Sequence, residues 1–569
     1  MVAFLTIGFF LHWGVHGFYM DDYTVKLWAF DLAANRWKPN FVPFDYYWRL
    51  RPIAYILAPN LASAIPHHEF VVRLGIVAMH FLNVLLLMGL VHRVTGSMLL
   101  CTLSGAYLLF PVFGNEGLLF FTAAITDVFS LFFLLIGFHC FLSCRSLLMD
   151  WRRFLFGAAA WFLMVMFYES GLFTIVLLPA FVSLGRRERQ AEAYKIAISM
   201  LAVLGAYLFL VERSQSNVLS RGGLTLNLSF ILSRRVPEVS ENFWWLVTDR
   251  GRLPGFRFAS VSGPLREALR LGWHEWLSVP WGPFIIAISI LGLCLIALLF
   301  PPDRDGAASF FALLRIAVIG CGWVVLSLTP LILVKSQIVE IRTLYIPSVG
   351  FALAAAAFST LVVRVFLPWR NGTIRALLLV AGVWVFLTSL TMAGLVRTYE
   401  LRWNLDQKQV ATLQPLVSKV PISEPLWLLP IGLDERSVGT YWGRNTALDA
   451  YLYSVFETPW SASDAVRLRV GRERVDAVTG NRWVKPSITA VRYSDDGRPA
   501  NIVVQGTTVP IQQLLAFTYQ EGRVILLSPL DLDSSDGKSI VGINLPLVEK
   551  LATAGVEMQP YHLQLEQMN

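Results

Sequence analysis

The stretch FLFGAAAWFLMVMFYESGLFTIVLLPAFVSL, residues 154–184, decides the topology of this chain. It is apolar except at a central interruption of Tyr168, Glu169, Ser170 and Gly171. Read as one long helix, it would throw every later basic loop to the wrong side of a membrane. Read as two helices of about 14 residues, each rises only about 21 Å, short of the roughly 30 Å of a bilayer's hydrocarbon. A short hairpin whose apex is sunk below the outer surface satisfies both constraints. Its tip would carry Glu169 into a protein-lined cavity at headgroup depth, an unusual place for a carboxylate.

Further apolar runs lie near 1–19, 70–92, 98–114, 118–143, 193–211, 281–300, 314–334, 344–366 and 376–395. With the two arms of the hairpin they predict an α-helical polytopic membrane protein of about eleven transmembrane helices. A hydrophobic content of 55%, a charged content of 15% and a mean hydropathy of +0.57 exclude an ordinary soluble globule. The first run has no basic residue before it and no small-residue cleavage site after it, and so reads as a retained helix rather than a signal peptide. Cys101, Cys140, Cys144, Cys294 and Cys321 all lie in apolar runs or at their edges, which argues against a disulfide framework or a zinc site.

Alternate short loops are basic: Arg93; then Arg145, Arg152 and Arg153; then Arg186, Arg187, Arg189 and Lys195; then Arg304 and Arg315; then Arg364, Arg370 and Arg375. The positive-inside rule makes these loops cytoplasmic. The long loops at about 20–69 and 212–280, and the tail from about 396, then lie outside, as in a multi-pass protein of a bacterial inner membrane. The formal charge of +8 is orientation information and lipid-surface attraction, and needs no nucleic acid to explain it.

Composition changes abruptly after Arg402, so residues 1–400 form the transmembrane domain and 401–569 an extracytoplasmic one. Leu426–Ile431, Ile502–Val504 and Val524–Leu527 look like strands, set among the turn signals Asp495-Asp496-Gly497, Glu521-Gly522 and Asp536-Gly537. Segments 445–456 and 544–554 look helical. The tail reads as a compact mixed α/β or β-rich domain without a repeat.

Ionisable residues in or beside membrane spans are costly, and each is a functional candidate. Asp21-Asp22, directly after the first run, offers a general base with an electrostatic or metal-binding neighbour; a solvent-exposed helix-end cap is the plainer alternative. Arg51 carries a guanidinium fork suited to phosphate, or serves as an interfacial anchor. Glu116 and Asp127 would share one face of a continuous helix about 16 Å apart, too far to hold one metal ion; a buried polar pairing of Asp127 with Thr122 or Thr126 competes with a role in a site. Arg342 and Tyr345 are three residues apart before Pro347, which breaks or kinks the helix entry; Arg342 could equally pair with Glu340. The loop at 212–280 interleaves nine arginines with Trp244, Trp245, Trp273 and Trp276, as an interfacial segment needs. The chain carries no phosphate-binding glycine loop, no GxGxxG, no HExxH and no GxSxG.

Taken in chain order, these features resemble the GT-C superfamily of membrane glycosyltransferases. The resemblance is to bacterial members related to protein O-mannosyltransferases and to the transmembrane and tetratricopeptide-containing O-mannosyltransferases. It rests on Asp21-Asp22, Arg51-Pro52, Pro66, His80, Phe110, Glu116, Asp127, Tyr168-Glu169 and the element Arg342-Thr-Leu-Tyr345-Ile-Pro347-Ser348-Val-Gly350. It covers roughly 1–405. Tyr168 stands where the family has a hairpin lysine, Ile125-Thr126 replaces a basic residue often found near the downstream Asp, and the tail lacks the tetratricopeptide period.

The resemblance implies a GT-C-like fold and a hexosyl- or pentosyltransferase. The enzyme would move a sugar from a polyprenyl-phosphate-linked donor to an acceptor hydroxyl on a protein, lipid or glycan at the extracytoplasmic face, in envelope glycosylation. Asp21 would be the base, with Asp22 supporting it or holding a divalent metal. Glu116, Asp127 and Glu169 would shape the sugar and acceptor pocket, with Tyr345 beside them. Arg342 and Arg51 would hold the donor phosphate. A non-catalytic transporter, flippase or scaffold for lipid-linked sugars is the alternative.

Overall fold

The structure, a computed structural model, describes residues 51–111, 118, 121–146, 149–185, 187–214, 227–241, 310–333, 342–366 and 374–392 of a helical unit. Of a second, strand-rich unit it describes 427–430, 488–504, 507–520, 523–533, 539–553 and 556–564. The helices expected at 1–19, 281–300 and 445–456 lie outside the described residues.

The helical unit runs α1 (Pro52–Thr95), α2 (Met98–Leu109), α3 (Phe121–Ser143), α4 (Trp151–Phe167), a 3-10 segment (Glu169–Leu177), α5 (Leu178–Gly185) and α6 (Gln190–Ser214). There follow a helical stretch at 228–241 containing a π turn (Ile231–Arg235), then α7 (Phe310–Leu333), a 3-10 turn (Arg342–Leu344), α8 (Pro347–Phe366) and α9 (Ile374–Met392). Five segments among the described residues are long and apolar enough to cross a membrane: Val71–Thr95, Ala123–Ser143, α7, α8 and α9. The sequence places 20–69 in an outer loop. Within it α1 begins at Pro52, which at the first helical position has no N–H to lose and a φ suited to a helix start. Likewise 228–241, inside the expected loop at 212–280, is helical.

α1 is bent. A straight helix would separate Arg51 from Asn83 by about 48 Å along its axis. Yet the Arg51 guanidinium lies 4.2 Å from the Tyr168 ring, the Ser130 hydroxyl bonds the Tyr168 carbonyl at 3.0 Å, and Asn83 bonds the carbonyl of Val128, two residues from Ser130, at 2.9 Å. That chain of contacts is shorter than 48 Å even fully extended. Pro59 and Pro66 lie between the ends, and a proline inside a helix is an ordinary cause of a kink. The apolar span then begins at Val71.

The break at 168 also has a local cause. Tyr168 is extended (φ −162°, ψ 130°), its N–H closes α4 on the Met164 carbonyl at 2.9 Å, and Ser130 covers the carbonyls of both Met164 and Tyr168. The chain continues as a nine-residue 3-10 segment rather than an α-helix. Gly171 lets it approach α3, since a Cβ there would meet Leu134 Cδ2 at 2.8 Å.

α7 and α8 cross through Gly320 and Gly350. A Cβ on Gly320 would stand 2.6 Å from the Gly350 carbonyl oxygen, and one on Gly350 would collide with the Gly320 carbonyl. Beside the crossing, the fully buried Trp323 bonds the Ile346 carbonyl at 3.1 Å and packs on Phe138 of α3 and Phe181 of α5. These contacts fix the entry to α8 against the first half of the unit.

Among its described residues the strand-rich unit holds two sheets. One orders β1 (Trp427–Pro430), β5 (Leu514–Gln520), β6 (Arg523–Asp533) and β7 (Ser539–Ile543), with β8 (Met558–Gln564) also pairing parallel to β6. The other is the meander β2 (Ile488–Tyr493), β3 (Pro499–Val504) and β4 (Thr507–Pro510). Gly497, at φ 76°, closes the β2–β3 turn as the Asp-Gly signal predicts, and Pro546–Ala552 is helical. Phe517, Leu526, Leu527 and Leu530 fill the core of the larger sheet.

Candidate functional site

The break after α4 places Glu169 at the first position of the 3-10 segment, a helix start where a carboxylate is favoured by unpaired N–H groups. Arg51 occupies the N-cap of α1, directly before Pro52. The bend of α1 brings these two together across 118 residues of sequence. Arg51 Nε donates to Glu169 Oε2 at 2.6 Å and Nη2 to Oε1 at 2.5 Å, a bidentate fork in which both side chains are buried. Tyr168 lays its ring under the guanidinium, 4.2 Å from its carbon. Tyr168, directly before Glu169, therefore receives Arg51 on its aromatic face. Ser170 ties the same corner to α7 through the Ser327 carbonyl at 2.8 Å.

A second cluster surrounds Tyr345, which is fully buried in the turn before α8. His80 Nε2 sits 2.9 Å from the Leu109 carbonyl, and its Nδ1 2.6 Å from the Tyr345 hydroxyl. A carbonyl only accepts, so Nε2 carries the proton; in the neutral ring Nδ1 then accepts from Tyr345. Asn83 Nδ2 donates to the Val128 carbonyl and, at 3.5 Å, toward the same hydroxyl. The Tyr345 hydroxyl is fully buried and acts as a neutral donor, with Asp127 close by. Asp127, one residue before Val128, is itself only 2% exposed.

Of the residues singled out in the sequence, the structure thus joins Arg51 with Glu169 and sets Asp127 near Tyr345. Arg342 opens the 3-10 turn that leads to Tyr345; its side chain lies outside what the structure describes. Asp21, Asp22 and Glu116 lie outside the described residues, so the acidic pair, its metal and a Glu116–Asp127 face rest on the sequence alone. No group of three or more metal-ligating side chains occurs among the described residues. The roles of Asn83, Ser130 and Ser170 were not read from the sequence. Asn83 had the clearest signal, an amide inside an apolar span, but its partners are backbone carbonyls and a tyrosine from other helices.

No protein-family model matches the sequence, and no curated protein matches it. Among solved structures, the chain is similar to a crystal structure of ArnT from Cupriavidus metallidurans bound to undecaprenyl phosphate, at 14% identity over 84% of this chain and 86% of that one, with a TM-score of 0.33. The apo state of the same protein is similar at the same identity and coverage, with a TM-score of 0.36. A likeness this loose leaves the reading of the site to the residues themselves.

Proposed function

We propose that this chain is a membrane glycosyltransferase that moves a sugar from a polyprenyl-phosphate-linked donor to an acceptor hydroxyl on the extracytoplasmic face. The supporting observation is the buried Arg51–Glu169 fork on Tyr168, at the end of α4 opposite its arginine-bearing start. A buried ion pair is weak evidence for stability and is costly in a membrane, so its retention calls for a functional reason. In this reading Asp21 takes the proton of the acceptor hydroxyl, and Asp22 supports it or holds a divalent metal. The hydroxyl oxygen attacks the anomeric carbon, and the polyprenyl phosphate leaves with the electron pair of the broken bond. Arg342 and Arg51 hold that phosphate and offset its developing charge, with Glu169 releasing or sharing Arg51 as the donor enters. Glu116, Asp127, Glu169 and Tyr345 shape the sugar and acceptor pocket.

The same pairing favours a second reading, a non-catalytic transporter, flippase or scaffold, because Arg51 already has a carboxylate on its fork. Purified protein supplied with a polyprenyl-phosphate-linked sugar and envelope acceptor fractions separates the two. Wild type should release polyprenyl phosphate and label the acceptor. Asp21→Asn keeps size and hydrogen bonding but removes the base, and should turn over at least about a hundredfold more slowly with donor binding intact. Unaltered turnover in Asp21→Asn removes that residue from the mechanism. Donor binding without release by wild type supports the second reading.

A further inference from the structure

The opposite end of the helices holds a cavity that the proposed reaction does not use. It is small, with a volume of about 30 Å³, and partly open, and lies between the last turn of α1, the end of α3, α5 and the start of α6. Arg93 and Arg189 line it together with an apolar wall that includes Val94, Leu142, Phe181 and Val182. Arg93 is exposed, and its Nη1 donates to the His139 carbonyl at 2.9 Å, which orients the guanidinium. His139 is tied in turn to the Leu86 carbonyl at 2.9 Å, so α1 and α3 hold that geometry between them. Arg145, Arg152 and Arg153 are exposed at the same end, the end that loop charge marks as cytoplasmic.

We propose that this cavity binds an anionic phospholipid of the cytoplasmic leaflet, its phosphodiester on Arg93 and Arg189 and its first acyl carbons against the apolar wall. A free phosphate would gain nothing from Val94, Leu142, Phe181 and Val182. A zwitterionic lipid would carry a cation toward two arginines. An anionic amphiphile uses both halves of the lining, and basic pockets between helices on the cytoplasmic side suit such headgroups. The bound lipid would fill the seam between α1, α3, α5 and α6, and this inference does not depend on the chemistry at the other end.

The test is native mass spectrometry of the detergent-purified full chain titrated with phosphatidylglycerol, with phosphatidylcholine of the same acyl chains, and with inorganic phosphate. Wild type should retain phosphatidylglycerol at several-fold lower concentration than phosphatidylcholine, and inorganic phosphate should not displace it. Each arginine near an anionic headgroup contributes about fivefold. Arg189→Gln, an exchange on a partly exposed 3-10 turn that leaves Arg93 and its carbonyl partner in place, should therefore weaken retention about fivefold. Arg93→Gln/Arg189→Gln should weaken it further. Equal retention of the two lipids, or unchanged retention in Arg189→Gln, overturns the proposal. Displacement of phosphatidylglycerol by inorganic phosphate also overturns it, in favour of a simple anion site.

Discussion

The two ends of the helical unit treat charge in opposite ways. At the Arg51 end, an arginine 9% exposed and a glutamate 4% exposed share two hydrogen bonds over an aromatic ring, and the His80 ring, the Asn83 amide nitrogen and the Tyr345 hydroxyl bond one another and backbone carbonyls. At the Arg93 end, Arg145, Arg152 and Arg153 are exposed, and Asp150 is occupied with local chain geometry, accepting from the Arg145 N–H at 2.7 Å. That N–H holds the Asp150 carboxyl below its ordinary range. Loop arginines facing water cost little and carry topological information. Buried ones need designated partners and become sensitive to every change around them.

The sharpest way to break the comparison is to ask which end faces which compartment. A reporter active only outside the cytoplasm should be active when fused after about residue 410 and inactive when fused near Gly185, an all-or-none difference. The reverse result would put the Arg93 end outside and remove the cytoplasmic lipid from the cavity.

Next in size is the ion pair. Arg51→Met strands a buried carboxylate and should cost about 3–5 kcal/mol in unfolding of the purified protein. The double variant Arg51→Met/Glu169→Met should recover much of that loss, because it buries no lone charge. Additive losses in the two single variants and the double would mean that the fork contributes nothing as a pair. Tyr345→Phe takes the donor from His80 Nδ1 and should cost about 1–3 kcal/mol, with a correspondingly lower Tm. An unshifted Tm would show that the buried ring nitrogen finds another partner.

The smallest effect belongs at the Arg93 end. Lys195 and Glu192 pair three residues apart near the start of α6, with the lysine side chain 62% exposed. Lys195→Gln should change stability by less than about 0.5 kcal/mol. A loss comparable to that of Arg51→Met would erase the distinction between the ends.

Several features were legible in the sequence because they depend on neighbours along the chain. The apolar runs near 70–92, 118–143, 314–334, 344–366 and 376–395 became long apolar helices, since each alone must satisfy its backbone in hydrocarbon. The interruption at Tyr168–Gly171 became a helix break, with Glu169 beginning the segment after it, and the Asp-Gly pair at 496–497 became a tight strand turn. Individual charged residues inside or beside spans stood out as costly, whatever their partners.

The partners themselves were decided only by tertiary structure. Nothing near Arg51 in the sequence points to a residue 118 positions away. α1 starts at Pro52 and bends before Asn83, and the bend carries Arg51 to Glu169. Gly350 reads as one letter of a motif until the Gly320 carbonyl is seen pressed against it. His80 and Tyr345 lie 265 residues apart and share one proton's worth of hydrogen bonding. Hydropathy and turn chemistry are local and additive along the chain. A bidentate fork, a helix crossing and a buried tautomer depend on a distance between remote segments, which only the packed molecule sets.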